Sequence, residues 1–388
     1  VDDEDVTLDQ LKECVDEPAI VRVVNLILSQ AITDQATSLH IEGSRVRFRV
    51  DGVLYEVMNP PAHIHSAVTA RIKIMGGMDI AERRIPQDGA IDLLHEEKPY
   101  RLRVSMIPCD YGEKIVIKIQ PKEASHLLGL DDLGMSPENL SALHSLLQRR
   151  SGLLLISGLS RGGKTTTLYA CLSRLNRVEH NLHTIDDPIE FRLPGVTQTQ
   201  LHYKAGLTFA SALRACLRND PDVILVGQLH CAETCRIAVD AACDRYLVLA
   251  GCHNYSAASS VMRLLHVGVE PYLVSQALNG ALSQRLARRV CPDCKTTQPA
   301  PPGFDLDSIP IGAGCEACHS VGLRGQIGVQ ELLLNSAPVR DCICQNPTWE
   351  QLMQTACEDG MVRLRDDGLK KVAAGWISLE EMLRVTRD

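Results

Sequence analysis

The chain has 388 residues, 45% of them apolar and 23% charged, with a formal net charge of −8. That length and apolar content support two or three domains with real cores and exclude disorder as the default state, while the negative charge leaves no general basic footprint for nucleic acid. The longest apolar runs, such as 153–156, 223–226 and 247–250, fall far short of the roughly 20 residues that span a bilayer, so no direct membrane span is expected. In chain order, residues 18–40 begin with apolar side chains at Ile20, Val23, Val24, Ile27, Leu28 and Ala31, the 3.6-residue period of a helix. Residues 45–55 alternate charged and apolar side chains around Asp51-Gly52, a hairpin pattern. A helix at 67–75 and strands at 100–107 and 113–119 complete a first α/β domain. Gly, Asp, Ser and Pro gather at 129–137 and predict the boundary, giving domains 1–134 and 135–388. Strands are expected at 153–157, 183–185, 223–226 and 246–249, with helices at 166–175, 338–344, 348–358 and 361–374. Alternating strands and helices imply a mostly parallel sheet covered on both faces. Arginine clusters at 45–49 and 285–289 read as subunit contacts or solvated faces.

Residues 158–165 read Gly-Leu-Ser-Arg-Gly-Gly-Lys-Thr, a complete phosphate-binding loop between a strand-like and a helix-like run. Backbone N–H groups around Gly158, Ser160, Arg161, Gly162 and Gly163 can wrap phosphates. Lys164 supplies a point charge, the Thr165 hydroxyl can ligate Mg²⁺, and Thr166 continues the binding turn. ATP with Mg²⁺ is the expected ligand.

Cys291 and Cys294, then Cys315 and Cys318, form two C-x2-C knuckles across a 20-residue spacer. That spacing closes a tetrahedral four-thiolate zinc site with no open position, hence a structural metal within 291–318. His319 reads as a bystander, and Cys231, Cys235, Cys252, Cys342 and Cys344 as small buried hydrophobes. Fifteen cysteines in so long a chain indicate reduced thiols plus this metal site, and the acidic start at residues 1–5 carries no cleavable signal; a cytoplasmic protein is expected.

Taken in order, the segments 47–52, 79–82, 86–89, the phosphate loop with 165–169, Asp187-Pro188-Ile189-Glu190, Leu217-Arg218 with Asp220-Pro221-Asp222, the cysteine knuckles and 378–381 resemble the type II secretion and type IV pilus assembly ATPase family. The resemblance implies a RecA-like P-loop NTPase domain behind a smaller α/β domain, with a zinc-binding subdomain and C-terminal helices. It further implies a homo-hexamer with nucleotide between the two domains, associated with the inner membrane through secretion-platform proteins and driving a type II pseudopilus. The family usually carries a further amino-terminal domain that docks on an inner-membrane partner, and the resemblance implies that this chain starts after it, as either a truncated form or a short variant. The type IV pilus assembly ATPases are the alternative, although Gln198-Thr199-Gln200 and 367–370 look closer to the secretion branch.

The chain departs from the family pattern at the chemistry. Arg161 stands where the family has glycine, at a position that can require positive φ; it either obstructs phosphate or adds a cation. Gln228 replaces the glutamate thought to polarise the attacking water, and an amide orients water without taking its proton. Asp186 is the shortened first carboxylate of the acidic box and a candidate base, with Glu190 its last; an exposed acidic turn is the competing reading of Asp186. His253 matches the γ-phosphate-sensing histidine, against a core histidine. Arg103 and Lys118 match cations that the first domain sends to the nucleotide, against ordinary solvent-facing strand residues. A non-hydrolytic nucleotide-binding scaffold is therefore the reading from a different class.

Overall fold

A computed structural model describes residues 18–110, 112–122 and 128–387; the acidic start discussed above lies outside them. The chain divides into two compact units, Val1–His126 and Leu127–Asp388. Among the described residues no helix is long and apolar enough to cross a membrane.

In the first unit, six strands form an antiparallel sheet in the order β3-β2-β1-β6-β5-β4, with β1 Ser38–Glu42, β2 Arg45–Val50, β3 Val53–Met58, β4 Gln87–His95, β5 Lys98–Cys109 and β6 Gly112–Pro121. The helices Pro18–Thr33 and His65–Met75 contribute Val24, Ile27, Val68 and Ile72 to one core with Leu39, Phe48, Leu102 and Ile117. Alternation along each strand sends the apolar set into that core and leaves the intervening charged set on the opposite face. Arg47 pairs there with Glu42 at 2.6 Å, and Arg49 donates to Gly52 O at 2.6 Å.

The second unit carries a seven-stranded sheet in the order β15-β12-β7-β11-β10-β8-β9. Its strands are β7 Gly152–Ser157, β8 Leu182–Asp186, β9 Val196–Gln200, β10 Val223–Val226, β11 Leu247–Cys252, β12 Leu278–Val290 and β15 Leu323–Leu334. All run parallel except β15, which is antiparallel to β12. Every residue of β7, β10 and β11 is buried, as a parallel sheet with both faces covered requires. The pair β13 Lys295–Pro299 and β14 Ser308–Gly312 forms a separate ribbon between the cysteine knuckles.

The arginines at 285–289 are not a solvated cluster. They lie on β12, where Arg285 is buried and donates to the carbonyls of Val385 (2.6 Å), Arg387 (3.0 Å) and Tyr255 (3.2 Å). Arg288 pairs with the buried Glu381 at 2.5 Å, so this strand fastens the C-terminal helix Leu379–Thr386 to the sheet. Only the adjacent Arg289 is exposed among these three.

Candidate functional site

Register brings the sequence-distant motifs to one edge of the second unit. Ile185 stands opposite Val226, Val226 opposite Ala250 and Ser157 opposite Cys252. The loop after β7, Asp186, Gln228 and His253 therefore all lie at or just past the carboxyl ends of neighbouring parallel strands, where open α/β sheets bind ligands.

The phosphate loop leads into the helix Lys164–Leu175, capped by Gly163 at φ +80°. Its inner side is closed by β12. A Cβ on Gly158 would fall 2.4 Å from Gln284 O, and Gln284 Nε2 donates to Gly162 O at 2.7 Å while its Oε1 accepts from Thr167 Oγ1 at 2.8 Å. Lys164 arches over the loop, its ammonium donating to Gly158 O (2.8 Å) and Leu159 O (2.9 Å). Burial holds its pKa below the usual lysine value. Thr165 Oγ1 donates to Glu190 Oε1 at 3.3 Å, which brings the hydroxyl of the loop and the last carboxylate of the acidic box together. Ser160 and Arg161 are exposed on the rim, and Thr166 is half-buried.

Asp186 is buried at 6% exposure, which contradicts an exposed acidic turn; Asp187, the next residue, is the exposed one. The Tyr169 hydroxyl donates to Asp186 Oδ2 at 3.0 Å, and Gln198 Nε2 donates to that hydroxyl at 3.3 Å. Burial pushes the Asp186 carboxyl up to about 6 against the lowering effect of the tyrosine. Gly227 admits this arrangement, since a Cβ there would meet Asp186 Oδ1 at 2.4 Å. Gln228 follows it, exposed. His253 is exposed as well, which removes the core-histidine alternative.

Arg103 and Lys118 belong to the first unit and are direct cross-strand partners on β5 and β6. Arg103 is half-buried and Lys118 exposed, with both on the face away from Leu102, Val104 and Ile117.

The knuckle sulfurs converge. Cys291 Sγ lies 3.8 Å from Cys315 Sγ, Cys294 Sγ 3.8 Å from Cys318 Sγ, and Cys315 Sγ 3.6 Å from Cys318 Sγ; all four sit within 4.8 Å of one another. A tetrahedral zinc with bonds of about 2.3 Å requires separations of about 3.8 Å. Backbone N–H groups of Gly314, Cys315 and Gly322 donate to the sulfurs at 3.3, 3.2 and 3.1 Å, which favours thiolates. The donor set thus fits zinc, and His319, in a left-handed turn, is outside it. Of the remaining cysteines named above, Cys235 and Cys252 are buried, Cys342 is half-buried, and Cys231 and Cys344 are exposed, so the buried-hydrophobe expectation fails for the last two.

Gln284 is the site residue that motif reading misses. No motif marks it, and it lies in β12 among other buried polar residues.

Comparison with known proteins agrees with this geometry. Residues 13–384 match the family described as Type II/IV secretion system protein. The chain is 41% identical to the type II secretion system protein HxcR of Pseudomonas aeruginosa over 97% of this chain and 80% of that one. It is 42% identical to the type II secretion system protein E of Pectobacterium carotovorum over 98% and 78%, and 39% identical to the type IV pilus assembly ATPase PilB of Myxococcus xanthus over 98% and 70%. In fold it is similar to the Legionella pneumophila ATPase DotB, with a TM-score of 0.74 at 18% identity covering 95% of this chain and 97% of that one. The chain therefore belongs to the Type II/IV secretion system protein family.

Proposed function

We propose that the chain is an ATP-binding motor subunit of type II protein secretion, working as a cytoplasmic homo-hexamer held at the inner membrane by secretion-platform proteins. The observation that carries this reading is the meeting of Lys164, Thr165 and Glu190 at the carboxyl edge of the parallel sheet, with the Thr165 hydroxyl 3.3 Å from Glu190. In this reading the loop N–H groups and Lys164 hold the β and γ phosphates. Thr165 and Glu190 would hold Mg²⁺, which neutralises phosphate charge when bound. Asp186 is the candidate base: a carboxyl near 6 is largely ionised at neutral pH and more basic than a free aspartate. Gln228 orients water without accepting its proton, so turnover is slow. His253 senses the γ-phosphate from the rim, and Arg103 and Lys118 are the cations of the first unit that match the family pattern. Zinc on Cys291, Cys294, Cys315 and Cys318 is structural, with four sulfurs and no open position.

The relatives favour type II secretion over pilus assembly, since HxcR at 41% and the Pectobacterium carotovorum E protein at 42% are more identical to the chain than PilB at 39%. Equilibrium titration of the assembled protein with Mg·ATP tests the nucleotide seat: saturable binding that disappears in Lys164→Ala is expected. Equal binding by both proteins would sink it.

A further inference from the structure

Arg161 either obstructs phosphate or adds a cation, and the nucleotide seat proposed above does not decide between the two. Arg161 adopts φ +63°, in the left-handed region where a Cβ crowds the neighbouring carbonyl and arginine is uncommon. A Cβ on Gly158, Gly162 or Gly163 would approach loop or β12 atoms to 2.4, 3.0 or 2.9 Å, so the inner side of the loop is filled. Position 161 instead sends its side chain to the open rim, where it is exposed. No hydrogen bond or ion pair holds its guanidinium among the described residues. Lys164, by contrast, already directs its ammonium at two loop carbonyls.

A strained backbone in a binding loop persists where the surrounding structure imposes it, and such residues cluster at ligand clamps. We propose that Arg161 is a second phosphate-binding cation, presented in cis by the loop and gripping the phosphate chain of a magnesium-bound nucleoside triphosphate. The proposal rests on the ATP seat described above and adds to it a residue the loop pattern does not require. Within the turn Gly162 N–H donates to Leu159 O at 3.0 Å, whereas the exposed Arg161 guanidinium keeps its donors for a ligand. A planar fork can take two phosphate oxygens at once, and a magnesium-bound triphosphate keeps negative charge after Lys164 has paired with it.

The test is calorimetric titration of the assembled, zinc-replete full chain with Mg·ATP, comparing wild type, Arg161→Gly, Arg161→Lys and Lys164→Ala, alongside ligand-free melting. Glycine occupies the left-handed region freely, so Arg161→Gly is expected to melt at or above the wild-type temperature. It should nonetheless bind Mg·ATP about tenfold or more weakly, the loss of one charge-assisted contact. Arg161→Lys should fall between the two, keeping charge without the fork. The affinity of the glycine variant should also depend less on salt. Affinity in Arg161→Gly equal to wild type overturns the proposal, and tighter binding overturns it by showing that arginine obstructs. A wild-type protein that binds no Mg·ATP refutes the ATP seat itself, and the proposal with it; wild-type binding that Lys164→Ala abolishes and Arg161→Gly leaves intact refutes the proposal alone.

Discussion

Gln284→Met removes the amide that ties β12 to the phosphate loop while nearly preserving side-chain volume. Two buried groups lose their partner: the Thr167 hydroxyl, which donates to Gln284 at 2.8 Å, and Gly162 O, which accepts from it at 2.7 Å. Gln284 is 2% exposed and Thr167 1%, so water does not replace the lost bonds. An orphaned buried polar group costs about 1–3 kcal/mol, which gives roughly 3 kcal/mol for the pair. For a unit of this size that corresponds to a melting shift of about 6–12 °C. Thr167→Val deletes the hydroxyl, so the double variant should cost less than the sum of the singles by about 1 kcal/mol. Thermal melting of the four proteins, with Mg·ATP titration of each, reads both effects. Nucleotide affinity should fall with Gln284→Met, because Gly162 is freed from its tether. A loss under about 0.5 kcal/mol, or strict additivity with Thr167→Val, refutes the tether.

Metal analysis should give about one zinc per chain, and Cys291→Ser with Cys294→Ser should remove it together with the fold of the ribbon; a metal-free protein with native stability contradicts the site. Asp186 titrates near 6 when folded and near the ordinary carboxyl value when unfolded, so the folded state binds its proton more tightly. Its stabilising contribution is complete below about pH 4 and is lost as pH rises through about 6, by up to about 3 kcal/mol. Asp186→Asn should flatten that slope in melting temperature against pH, and an unchanged slope removes Asp186 as its source.

The sequence exposed the buried parallel strands most clearly. Residues 153–157, 223–226 and 246–249 are short apolar runs, and they are strands β7, β10 and β11 because a sheet covered on both faces selects such runs. The phosphate loop and the knuckles were equally legible, since each needs fixed residue types at fixed spacing. What escaped were strands with polar interiors. β12 carries Asn279, Ser283, Gln284 and Arg285, all buried; Asn279, Gln284 and Arg285 bond to carbonyls distant in sequence, which no local pattern announces. β4 begins at Gln87-Asp88-Gly89, a segment with no strand pattern of its own, where Gly89 pairs with Val104 and a Cβ would meet Gly76 O at 2.5 Å. Burial of Asp186 was equally hidden, because the tyrosine that faces it is 17 residues upstream on the loop helix.

In the proposed reading the nucleotide seat holds an amide, Gln228, at its water-activating position. Steady-state phosphate release by the assembled, zinc-replete protein, measured beside Gln228→Glu and Lys164→Ala, tests it most directly. Slow release by the wild type, a gain of at least about tenfold in Gln228→Glu and none in Lys164→Ala are predicted, within the range that general base catalysis supplies. Wild-type turnover already equal to that of Gln228→Glu would contradict the account.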